Sequence, residues 1–281
     1  MRKRLLCLSL ASLALLALCL GLFLWWVVTT SSRTEIVFLN VGEGDAILIS
    51  QGTNQILIDG GKSGKELLSR LGRHMPFWDR QIETVIATHP DADHIGGFPS
   101  LFRAYHVADV LYSGLENTTE AFALFQESAK ASAHRDLIKV FREGSLKLPA
   151  GGELTIEYPE GLLPKETSDT NASSIVIRLA YGETSFLLTG DLPHEETLLP
   201  DEEQATILKV SHHGSKYSTS EAFLDRIRPD EAIISVGKNM YGHPALETLE
   251  RLEKRNIMIH RTDQEGDIVY VCRENRCNFE K

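Results

Sequence analysis

Cysteine is scarce, four in 281 residues, and only Cys272 and Cys277 form a close pair outside the N-terminal segment. A zinc ribbon needs a second such pair, so that class is excluded. Charge is absent from Leu5 to Val28, 24 residues that follow Arg2, Lys3 and Arg4 and include Trp25 and Trp26. Because no ionisable side chain interrupts this run, transport through it is not suggested. Positive charge is also in short supply, with 29 basic against 39 acidic residues and a net charge of −10. Without the three N-terminal basic residues the remainder carries −13, which argues against nucleic-acid binding through a broad basic surface. A metal-centred phosphodiesterase is not excluded, because bound cations supply their own positive charge. No solenoid-type repeat or low-complexity tract is present.

The uncharged run is long enough for one transmembrane helix, since about 20 apolar residues cross a bilayer. Its basic start predicts a cytoplasmic N-terminus, and it exceeds the ~7–15 apolar residues of a cleaved signal peptide. The expectation is an uncleaved anchor over residues 1–34, with residues 35–281 as one domain outside the cytoplasm. Cys7 and Cys19 then read as small apolar side chains. Cys272 and Cys277 flank Arg-Glu-Asn-Arg beside a strand-like segment and could form a disulfide across a hairpin.

The richest stretch is His89-Pro-Asp91-Ala-Asp93-His94. Four metal-competent side chains within six residues follow the β-branched segment Ile82–Thr88, which reads as a buried strand. Gly96 and Gly97 follow, read as the flexible turn into a helix. Other carboxylates and imidazoles also stand at strand ends: Asp59 after Gln55–Ile58, Asp191 after Thr184–Gly190, and His212 and His213 after Thr206–Val210. Helices are expected from Ser63 to Gly72, Thr118 to Ala133 and Ser220 to Ile227. A further helix should start with Pro244 at its first position and carry Leu246, Leu249 and Leu252 on one face. Strands alternating with helices predict an α/β domain, and strand ends on one sheet edge converge where such proteins bind ligands. Two divalent ions held there would activate water and clamp both oxygens of a displacement.

With Asn40-Val-Gly-Glu-Gly-Asp45, Asp59-Gly-Gly, Leu188-Thr-Gly-Asp191, Lys209-Val-Ser-His-His-Gly-Ser215 and Tyr241-Gly-His-Pro244, the chain resembles metallo-β-lactamase-fold hydrolases. Their central signature is His-x-His-x-Asp-His; here Asp91 replaces the second His. That departure resembles the extracytoplasmic hydrolase domain of ComEC-type competence proteins and their stand-alone relatives, and is shared by phosphorylcholine esterases. The resemblance covers residues 36–270 and implies a four-layer αββα sandwich preceded by the transmembrane helix.

The resemblance implies a metal-dependent hydrolase. It gives His89 and Asp91 to one metal, Asp93 and His94 to the other, and Asp191 to the bridge. The last ligand is one of His212 and His213, with His213 favoured; His212 would then support a ligand or face substrate, Asp59 would orient a ligand, and His243 would assist the leaving group. Asn171 stands where other members carry a further His, so a single bound ion is the alternative to two. The carboxylate-rich set tilts the ion toward Mn²⁺, with Zn²⁺ retained. The implied substrate is a phosphodiester, DNA or a nucleotide, with a phosphorylcholine ester next. A tethered binding module with a degraded metal site is the reading from a different class.

Overall fold

The computed structural model describes residues 15–21, 33–133, 137–142, 144–163, 167, 169–199 and 204–280. Of the apolar run expected to anchor the chain, residues 15–21 are helical and the rest lies outside the described residues. Among the described residues no helix is long and apolar enough to cross a membrane.

Two sheets form the centre. The first is built from β1 (Thr34–Phe38), β2 (Ile47–Gln51), β3 (Asn54–Ile58), β4 (Gln81–Ala87), β5 (His106–Tyr112) and β6 (Ile138–Lys139). The second takes β7 (Ser145–Lys147), β8 (Glu153–Tyr158), β9 (Val176–Tyr181), β10 (Thr184–Leu188), β11 (Ile207–Lys209), β12 (Glu231–Ile234) and β13 (Met258–Arg261). The chain then returns to the first sheet through β14 (Ile268–Arg273) and β15 (Arg276–Glu280). The orders are β15-β14-β1-β2-β3-β4-β5-β6 and β13-β12-β11-β10-β9-β8-β7.

Period-two alternation sorts the strand side chains into layers. Ile36, Phe38, Ile49 and Ile58 from the first sheet meet Ile177, Phe186, Leu188 and Ile233 from the second in one buried cluster. The intervening Val37, Leu48, Leu57 and Val85 point the other way, against Leu67, Leu71, Phe98 and Phe125 of the helices on that face. On the far side of the second sheet, Leu187, Leu208 and Ala232 pack against Phe223, Leu224 and Leu252. The layers therefore run helix, sheet, sheet, helix.

Ser63 and Ser220 cap helices Gly64–His74 and Glu221–Ile227, each accepting a backbone N–H with its side chain, as N-cap serines do. Two expectations are corrected. Pro244 does not open a helix: the His243–Pro244 peptide is cis, and helix Leu246–Glu253 starts after Ala245. Leu246 is therefore 68% exposed, while Leu252 is buried. Gly96 and Gly97 have ordinary helical φ values, so the turn does not require their freedom. They are small because a Cβ on Gly97 would stand 2.0 Å from the Gly60 carbonyl oxygen, and one on Gly96 2.6 Å from that of Lys62. Cys272 and Cys277 pair across the β14–β15 hairpin as a disulfide.

Candidate metal centre

Parallel runs in both sheets bring the strand ends together. β3, β4 and β5 are parallel, as are β10, β11, β12 and β13, so Asp59, His89, Asp191 and the Ser211–Gly214 turn leave their strands at a shared edge. Asp93, His94, Asp191 and His213 each present one ligand-type atom within 4.8 Å of the others. His213 Nε2 is 3.3 Å from Asp191 Oδ2 and 3.4 Å from Asp93 Oδ2, and His94 Nε2 is 3.3 Å from Asp191 Oδ2. His89 Nε2 lies 3.9 Å from Asp91 Oδ2, and the His89 and His94 rings are 4.0 Å apart.

The far sides of these rings are held. His94 Nδ1 donates to Asp59 Oδ2 at 2.8 Å. Thr88 donates its hydroxyl to the same oxygen at 2.7 Å and its backbone N–H to Asp59 Oδ1 at 2.8 Å. That leaves the Thr88 oxygen to accept from His89 Nδ1 at 3.0 Å. Asp59 thus orients His94 directly and His89 through one hydroxyl. His213 Nδ1 donates to the Ser235 carbonyl at 2.9 Å. In the neutral form each ring would turn the Nε2 lone pair to a ligand, and this outer support is how metal-binding histidines are oriented.

His89 Nε2, His94 Nε2, His213 Nε2 and Asp191 Oδ1 are buried and have no hydrogen-bond partner among the described residues. Buried polar atoms are almost always paired, and two of these orphans, His94 Nε2 and His213 Nε2, converge on Asp191 Oδ2 at 3.3 Å each, which marks a place for a ligand. Imidazole nitrogens with carboxylate oxygens suit a divalent cation, and the donor set fits one.

The charges around the point act on one another. Burial opposes the charge on His94, but Asp191 and Asp59 outweigh it and raise its pKa well above the usual histidine range. Burial likewise opposes His213, and Asp191, Asp45 and Asp93 raise it. For Asp191, burial is overcome by His213 and His94, which hold the carboxylate ionised. His89 behaves differently: burial, aided by the charge on His94, lowers it to about 3, leaving a neutral imidazole. A divalent cation would therefore compete with protons on His94 and His213.

His212 and His213 both adopt left-handed backbone, φ 48° and 53°. Each costs about 1–3 kcal/mol outside glycine, and such outliers concentrate at functional sites. The consequence here is divergence. His213 turns into the cluster, whereas His212 stays at the rim, Nε2 4.0 Å from Asp191 Oδ2 and its ring 5.3 Å from that of His243. Asn171 Nδ2 reaches His212 Nδ1 at 3.4 Å. Tyr241 stacks on His243 with centroids 5.8 Å apart. Asp91, Asn171, His212, Asn239, Tyr241 and His243 line an open cleft of ≈ 180 Å³ above the cluster. Burial, followed by the charges of His212 and His213, lowers the His243 pKa.

A model of the metallo-β-lactamase superfamily matches residues 39–238. The chain belongs to this superfamily. Among curated proteins it is 31% identical over 264 residues to ComE operon protein 3 of Bacillus subtilis, covering 85% of this chain and 33% of that protein. It is 30% identical over 240 residues to Recombination protein 2 of Haemophilus influenzae, covering 83% and 28%. The chain thus spans about a third of the length of these relatives. Among solved structures it is similar to the metallo-β-lactamase fold protein YhfI from Bacillus subtilis, with TM-score 0.57, 14% identity, and coverage of 85% of this chain and 100% of that one.

Within this metallo-β-lactamase framework two residues of the quoted motifs had been given no role from the sequence. Asp45 and Lys209 are both buried and form an ion pair. Lys209 Nζ also donates to the Gly190 carbonyl at 2.8 Å and lies 3.6 Å from Asp191 Oδ1. Asp45 Oδ1 is 3.5 Å from His213 Nδ1. Asp45, Asp59 and His94 also cluster, but the Lys209 ammonium already supplies the cation beside Asp45. The signal for Lys209 is its register: two residues after Ile207, it faces the inner layer, where a charge demands a partner. Gly44, φ 107°, lets the Asn40–Asp45 loop cross Asp93, whose carbonyl oxygen would be 1.8 Å from a Cβ there.

Proposed function

We propose that this chain is a metal-dependent phosphodiester hydrolase, anchored outside the cytoplasm by the apolar run at residues 5–28, with DNA or a nucleotide as substrate. The observation that carries the hydrolytic reading is the convergence of the orphaned His94 Nε2 and His213 Nε2 with Asp93 and Asp191 beneath an open cleft. The relatives named for the ComE operon and for recombination support a nucleic-acid substrate.

Asp93, His94, Asp191 and His213 would hold one cation, and His89 with Asp91 a second that shares Asp191. Mn²⁺ or Zn²⁺ bound there would supply an activated water and neutralise charge on the phosphoryl oxygens. Asp59 and Thr88 hold the rings in the ligating tautomer. His243, backed by Tyr241 and fixed by Asn239 at both its backbone N–H and carbonyl, stands at the rim to hand a proton to the leaving oxygen. His212, pinned by Asn171, faces the substrate phosphate. The net negative charge disfavours a long polyanion, which keeps a phosphorylcholine ester as the second substrate.

The test is the full chain in detergent, stripped of metal and reloaded with Mn²⁺ or Zn²⁺. It is assayed on labelled single- and double-stranded DNA, a generic phosphodiester and a phosphorylcholine ester. Metal-dependent DNA cleavage is expected, and Asp93→Ala should lose at least ~100-fold in activity or metal affinity. Turnover of the choline ester alone would transfer the chain to the second substrate. Metal uptake with no phosphoester cleaved would sink the reading.

A further inference from the structure

An exposed aromatic pair stands on the molecule away from the cleft, and no step at the cleft uses it. Phe77 is 82% and Trp78 54% exposed, their rings packed edge-on with centroids 4.8 Å apart. The next residue, Asp79, fixes their position, accepting the backbone N–H of Gln81 at the start of β4 with Oδ1 at 3.1 Å.

Strand register tells which end of the sheet this is. Thr34 pairs with Gln51, and Gln51 with Asn54, so β1 and β3 start at the same end. β3 and β4 run parallel with Ile56 opposite Thr84, which puts the start of β4 there too. The entry of the chain at Arg33–Thr34 and the Phe77–Trp78 pair therefore share one end, three strands or about 15 Å apart. Asp59 and His89 leave the opposite ends of β3 and β4, roughly 20 Å away along the strands. Four residues separate Val28, the end of the apolar run, from Arg33. Even fully extended, that link reaches no more than about 18 Å.

A tether this short brings the entry end of the domain close to whatever holds the apolar run. Trp prefers the bilayer–water interface, where its ring is apolar on one side and its N–H is wet. Arg80, exposed at the same end, donates to the Tyr105 hydroxyl with Nη1 at 3.2 Å, and the further N–H donors of its guanidinium suit lipid phosphate. We infer that Phe77 and Trp78 form a membrane-contact patch, seated in the headgroup region of the bilayer that holds residues 5–28, with the cleft facing away from the lipid. This rests on the anchoring proposed above.

The test uses the full chain with Trp25→Phe and Trp26→Phe, leaving Trp78 as the sole tryptophan, in phosphatidylcholine–phosphatidylglycerol vesicles with and without brominated acyl chains. Flotation with the vesicles reports the anchor, and quenching reports the patch. Expected is co-flotation with a marked loss of Trp78 emission on brominated lipid. The same chain with Trp78→Phe and Tyr241→Trp, which moves the reporter to the cleft, should keep its emission. Co-flotation without quenching of Trp78 overturns the patch and leaves the anchor standing. Equal quenching of both reporters overturns the orientation. Failure to float overturns anchor and patch together.

Discussion

At the residue scale, the decisive property of the site is an excess of buried negative charge with few fixed cations. Asp45, Asp59 and Asp191 are all buried, and Lys209 is the buried ammonium among them. Removing one partner of a buried ion pair leaves an uncompensated charge, at a cost of about 3–5 kcal/mol. Lys209→Met should lower unfolding stability by about that amount in urea, and adding Asp45→Asn should restore part of it. Equal stability of the single and double variants would refute the pairing. The ligand-type residues were legible because imidazoles and carboxylates crowd strand ends. The sequence does not show that two successive left-handed residues send the His212 and His213 side chains apart, His213 inward and His212 to the rim. Lys209 was not legible, because a single lysine in a short strand reads as a surface residue until the second sheet is known to cover it.

At the element scale, local signals were faithful where they depended on the backbone alone and failed where they depended on a neighbour. Ser63 and Ser220 act within four residues and were readable as helix starts. Pro244 was read as a helix start, yet it packs against the turn at Gly214, where a Cβ would lie 2.7 Å from Pro244 Cβ. A similar remote constraint governs the helix Glu195–Leu198. Glu195 is fully buried and accepts the Thr219 backbone N–H at 2.9 Å and its hydroxyl at 3.1 Å. Burial nevertheless pushes its carboxyl up to about 7. Between the unfolded value near 4.5 and about 7, the folded chain holds a proton that the unfolded chain has released. Stability therefore falls as pH rises through this window, by about 3 kcal/mol in full. Glu195→Gln should remove that slope, visible as melting temperatures that no longer fall between pH 5 and 8. An unchanged slope would assign the pH dependence elsewhere.

At the scale of the whole molecule, the alternation of strands and helices with charged strand ends made an α/β domain legible, while the two-sheet sandwich was implied only by the family resemblance. The edge strand β15 was implied only by the hairpin expected between Cys272 and Cys277, because Arg276–Glu280 carries little apolar pattern of its own. The site spans both sheets, with Asp93 and His94 from the first and Asp191 and His213 from the second, so a bound cation would join the halves. Metal binding to the folded chain alone adds about 3–4 kcal/mol at 100- to 1,000-fold over its Kd. Chelation should thus lower the melting temperature, and readdition of Mn²⁺ or Zn²⁺ should restore it. A melting temperature indifferent to chelator would mean that no cation bridges the sheets. The Cys272–Cys277 bond closes a loop of only a few residues, for which chain entropy gives about 2 kcal/mol. Its larger effect is on neighbours rather than on folding. It rivets the outermost strand to the sheet, and an unriveted outer strand offers its unpaired amides to any copy that drifts past. Reduced protein should stay folded yet self-associate at concentrations where the oxidised form remains dispersed, which light scattering with and without reductant would show.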